Sequence, residues 1–111
     1  MSRNIELYSG DSVDLIFHVQ DAAGRPFNLD GSDGVRFGMS ASPVKTADKI
    51  WTGEDGIEIS DKERGIVTVK LDAGDTGIVG NRCYELEVAF GGRKYTAATG
   101  MIVFLPSILQ S

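Results

Sequence analysis

Apolar side chains recur at every second position along most of this chain, the spacing of strands whose two faces meet different surroundings. Ile5 and Leu7 flank Glu6, and Ser9-Gly10-Asp11 then supplies a turn. Val13, Leu15, Phe17 and Val19 form one face of a second strand, with Asp14, Ile16, His18 and Gln20 opposite. The stretch from Asp21 to Pro26 reads as a turn, because Gly24 tolerates positive φ and Pro26 fixes φ for re-entry. Phe27 and Leu29 are expected to cover one end of the fold before a second turn, Asp30-Gly31-Ser32-Asp33-Gly34.

Val35, Phe37 and Met39 share a face of the third strand. The stretch from Ser40 to Asp48, which carries Pro43, is the least patterned and reads as a loop or an irregular edge. Lys49-Ile50-Trp51-Thr52 is a short strand, and Ile57, Ile59 and the run Ile66 to Leu71 make a hairpin. The segment Leu71 to Val79 departs from alternation and is expected to form one helical turn crossing between sheets. In the strand Cys83 to Phe90, Tyr84, Leu86, Val88 and Phe90 point inward and Glu85 and Glu87 outward. Gly91-Gly92 then turns the chain into a last strand, Lys94 to Leu105, stopped by Pro106. The pattern predicts an all-β, antiparallel sandwich of about seven to nine strands. It occupies residues 1–106 as a single domain, with 107–111 as a short apolar tail.

Composition narrows the function classes. A chain of 111 residues can bury one core but not two. Its net charge of -5 argues against nucleic acid, which is bound by clustered Lys and Arg; Arg64, Arg82, Arg93 and Lys94 are scattered near turns. Cys83 is the single cysteine, so no internal disulfide forms and packing must hold the fold. No stretch approaches the roughly 20 apolar residues of a membrane-spanning helix, and Met1-Ser2-Arg3-Asn4 leads into alternation without a secretory apolar region.

No residues announce catalysis, a metal or a cofactor. His18 has no partner His or Cys at ligand spacing and reads as a strand surface residue, and Cys83 lacks a nucleophile signature and reads as structural. The acidic turns at Asp30 to Gly34 and Asp72 to Asp75 do not match the spacing of a calcium loop and read as Asx turns. Sixteen acids spread along the chain could supply paired carboxylates for glycoside hydrolysis, yet Glu85 and Glu87 alternate outward on one strand as a solvated face would. Trp51, Tyr8 and Tyr95 could line a carbohydrate platform or belong to the core. Two regions carry an interaction signal: the irregular Ser40 to Trp51 segment, and the apolar end from Phe104 to Leu109, which must pack on its own core or on a neighbour.

The chain resembles the immunoglobulin-like domain at the N-terminus of phage baseplate upper proteins and of related tail and fibre proteins. The resemblance rests on Gly10-Asp11-Ser12, Val19-Gln20-Asp21, Gly24 to Leu29 and Val35-Arg36-Phe37. It continues through Gly65-Ile66-Val67, Tyr84 to Val88 and Gly100-Met101-Ile102-Val103. It implies an immunoglobulin-like sandwich that serves as an attachment or assembly module in a virion, without catalysis. In that family the domain leads a longer polypeptide; with a chain of 111 residues the expectation is an accessory tail, baseplate or head-decoration protein of a phage or prophage, or a prophage remnant. It would be made in the cytoplasm of a bacterial host and built into the particle. Its partners would be other virion proteins or further copies of itself, with Tyr8, Trp51, Leu105, Ile108 and Leu109 as contact residues. The alternative is a carbohydrate-binding module that uses exposed aromatics on a glycan.

Overall fold

A computed structural model describes residues 4–42 and 47–109. The described residues form eight strands: β1 (Ile5–Tyr8), β2 (Val13–His18), β3 (Gly34–Ser40), β4 (Lys49–Trp51), β5 (Ile57–Asp61), β6 (Ile66–Leu71), β7 (Gly80–Phe90) and β8 (Arg93–Leu105). They make a five-stranded sheet in the order β1-β8-β7-β3-β4 and a three-stranded sheet in the order β2-β6-β5. The fold is all-β, and the two sheets face one another across a shared core.

The alternating residues do what their spacing requires. Leu15, Phe17 and Val19 are buried while Asp14, Ile16 and His18 face solvent. Phe17 meets Phe37 of β3 and Tyr84 of β7 at ring distances of 5.9 and 5.8 Å, which ties the small sheet to the large one. Phe37, Val67, Leu86 and Ile102 are wholly enclosed, each stabilising the fold by about 1.5–3 kcal/mol relative to exposure. Leu29 closes one end as expected, and Phe27 packs beside it, edge-on to Phe90 at 6.2 Å.

The segment after Leu71 crosses from β6 to β7 through a single turn. Thr76 donates its N–H to Asp72 O at 3.2 Å, a one-turn helical bond. Asp72 and Asp75 cap each other: each carboxylate accepts the other's backbone N–H at 2.9 Å. Thr76 is fully buried, and its hydroxyl donates to Asp11 O at 2.6 Å while its carbonyl accepts the Gly10 N–H. The Gly10-Asp11-Ser12 phrase is thereby fastened to the crossing turn.

Among the eight strands of the described residues, one pair departs from the expected antiparallel arrangement. β1 runs parallel to β8, with Ile5 opposite Ile102 and Tyr8 opposite Leu105. The turn at Ser9 carries the chain over to the other sheet, so β1 cannot make a hairpin with β2. β7 also begins at Gly80, three residues ahead of the expected Cys83, because Gly80, Asn81 and Arg82 pair with Phe104, Val103 and Ile102. Gly91 and Gly92, both at positive φ, make the expected two-residue turn between Phe90 and Arg93. The Ser40 to Asp48 connection joins β3 to β4; Pro43 and the rest of 43–46 lie outside the described residues.

Candidate functional site

The outer faces of the two sheets differ in chemistry. On the three-stranded sheet, Asp14 lies opposite Lys70, Lys70 pairs with Glu58 at 3.4 Å, and Ser60 and Thr68 share a hydrogen bond at 2.7 Å. That face is largely polar and solvated, with Ile16 as its exposed apolar residue.

The five-stranded sheet presents more apolar surface. Its register places Tyr8 beside Leu105, Met101 beside Cys83, and Gly38 beside Ile50. Tyr8, Ile50 and Met101 are exposed, and Leu105, Val103 and Cys83 are half-buried. Gly38 has no side chain to fill its position, so Ala47 lies against the strand: a Cβ on Gly38 would come 3.0 Å from that of Ala47. A groove of about 570 Å³ lies on this face, with Gly38, Ala47, Ile50 and Cys83 in its lining. Arg36 forms one rim, holding Glu87 through Nη2 at 2.8 Å and Nε at 3.1 Å. Glu85 beside it accepts from Thr96 at 3.1 Å, so both glutamates point outward as expected. A mid-strand glycine often marks a close approach of another segment, which Gly38 does for Ala47, but it does not by itself indicate a groove.

The five expected contact residues divide three ways. Tyr8 is 56% exposed and Leu105 half-buried at the β8 end of the sheet. Ile108 and Leu109, just beyond, are 99% and 89% exposed, so neither packs on the domain's own core. Trp51 is a correction: at 1% exposure it belongs to the core, edge-on to Phe37 at 5.4 Å. Its partner in pairing is Phe37, and that register turns it inward while Ile50 faces out. The carbohydrate platform loses its centre with Trp51. Tyr8 and Tyr95 cannot replace it, since they lie at opposite ends of β8, about 30 Å apart by strand rise.

Lys49, Asp72 and Asp75 meet at the crossing turn. Burial pushes the Asp75 carboxyl up, but the Lys49 ammonium and the Asp72 N–H outweigh it and hold the acid below its ordinary value of 3.8. The same ion pair, made to Asp75, raises Lys49, whose ammonium also lies 4.8 Å from the centre of the Trp51 ring. Asp21 is lowered by accepting the Arg25 and Ala23 N–H groups within its turn. These acids serve turn geometry. Asp30 pairs with Lys62 and Asp33 accepts from Gly92, so the acidic residues of that turn face different partners. Among the described residues, no group of three His, Cys, Asp or Glu could hold a metal ion. His18 stands exposed on the polar face, and Cys83 is a free, half-buried thiol in the groove. No helix among the described residues is long and apolar enough to cross a membrane. The chain matches no protein-family model and no curated protein sequence.

Proposed function

We propose that this protein is a non-enzymatic assembly module of a phage or prophage particle, of tail, baseplate or decoration type, working through protein–protein contacts. The observation that carries the reading is the apolar end of the large sheet, where Tyr8 and Leu105 adjoin a tail whose Ile108 and Leu109 face solvent. Apolar groups that find no place on their own core gain most by covering a partner's surface. The sheet order supports an immunoglobulin-like sandwich: strands two, six and five oppose strands three, seven and eight, with β4 added beside β3. β1 lies beside the last strand in this variant. The partner is another protein of the particle, and contact spreads from the tail over the outer face of the large sheet.

The test is co-sedimentation. A tagged chain expressed during particle production is expected to travel with the assembled particles. Truncation after Pro106 should lower the bound fraction at least about tenfold, the effect of losing one or two apolar anchors. It should leave the unfolding midpoint unchanged, because Ile108 and Leu109 contribute nothing to the core. Wild-type protein that remains in the soluble fraction would overturn the reading.

A further inference from the structure

The three-stranded sheet ends at β2, and no described residue adds a strand to its outer edge. Val19 donates its N–H to Gly65 O at 2.8 Å, and across β6 Lys70 donates to Gly56 O at 2.7 Å. Antiparallel alternation then turns the peptide groups of residues 13, 15 and 17 toward β6, and those of Asp14, Ile16 and His18 out to the open edge. The side chains of the same three residues lie on the solvent face, with Ile16 52% exposed.

The other sheet edges are blunted. β4 has three residues, β1 has four, and β5 carries a bulge between Ile59 and Asp61. β2 runs for six residues without Pro, Gly or a bulge.

We infer that β2 pairs antiparallel with β2 of a second copy, about a two-fold axis through Ile16. This register brings the two Ile16 side chains together and sets Asp14 of each copy opposite His18 of the other. All three outward-facing peptide groups are then paired, and the two small sheets become one continuous sheet. The pattern is self-complementary in hydrogen bonding, apolar contact and charge, which is what an isologous interface requires. This surface is separate from the one assigned to particle contacts, and the inference does not depend on that assignment.

In this register each His18 meets Asp14 of the second copy, and the other charged groups near it are paired within their own copy. Around His18, β6 presents Ile66 opposite it and Thr68 next, with Lys70 further along already paired to Glu58. At the other end of the strand Arg64 pairs with Asp61, and Arg25 with Asp21. These cations are engaged locally, which leaves Asp14 of the second copy as the new charge that meets His18.

Sedimentation velocity on the full chain over a concentration series tests this. The wild-type protein is expected to dimerise as concentration rises. His18→Asp sets acid against acid and should leave a monomer, and Asp14→His combined with His18→Asp should restore the dimer. Ile16→Lys should abolish dimerisation through like charges at the axis. A wild-type monomer throughout the series overturns the inference. So does a dimer that persists in His18→Asp and Ile16→Lys proteins whose circular dichroism matches wild type.

Discussion

Trp51→Ala is expected to lower the unfolding free energy by about 3–5 kcal/mol, the cost of truncating a large buried aromatic. Trp51 is 1% exposed in the three-residue strand β4, with Phe37 edge-on to it. Gly56 lies so close beneath that a Cβ there would fall 2.5 Å from the indole Cδ1. Phe37 is itself held by Tyr84 and Phe17, so the cavity cannot be refilled by a small shift of one ring. The loss also removes the face beneath the Lys49 ammonium, which joins β4 to the crossing turn through Asp75. Single domains have about 5–15 kcal/mol of stability, so this one change takes a large share of it. Guanidinium unfolding followed by far-ultraviolet circular dichroism measures it. An unchanged midpoint would place Trp51 at the surface and contradict the packing described above.

Gly65→Ala is expected to cost about 3 kcal/mol, combining a left-handed backbone with a collision. Gly65 has φ +70°, and an added Cβ would sit 2.6 Å from Phe27 O and 2.7 Å from Val19 O. Both atoms are backbone, so neither can rotate away. Val19 also donates its N–H to Gly65 O and accepts from Phe27 N–H, so any movement breaks bonds that hold three segments together. Gly24→Ala is the internal control. Gly24 has φ +80° but no atom within 4 Å of the added Cβ, so it should lose only about 1 kcal/mol. Equal losses in the two variants would show that the crowding around Gly65 carries no energy.

What the sequence made legible follows from the physics of its pattern. Period-two alternation records which face of a strand is buried, and it placed Leu15, Phe17, Val35, Leu86 and Val88 correctly. Paired glycines marked the β7–β8 turn, and the broken period after Leu71 marked the crossing turn. Alternation does not record which strand lies next to which, so the parallel β1–β8 pair was hidden in it. Trp51 was ambiguous because Ile50 and Trp51 are adjacent apolar residues in a strand too short to alternate; pairing with Phe37 decides which one turns inward. The apolar end of the large sheet was legible at Tyr8, Leu105, Ile108 and Leu109 as apolar residues near a strand end. The groove was not, because it depends on Gly38 meeting a segment that returns over the sheet.

Hydroxyl-radical footprinting of the free and the particle-bound chain tests the central claim most directly, because it reads side-chain accessibility residue by residue. Tyr8, Met101, Ile108 and Leu109 are accessible in the isolated chain and should lose labelling together on assembly. Tyr95, at the far end of β8, and Ile59, in the small sheet, should be labelled equally in both states. Protection confined to Tyr95 and Ile59, or labelling of Tyr8 and Leu109 that assembly leaves unchanged, would contradict a contact made by the large sheet and its tail.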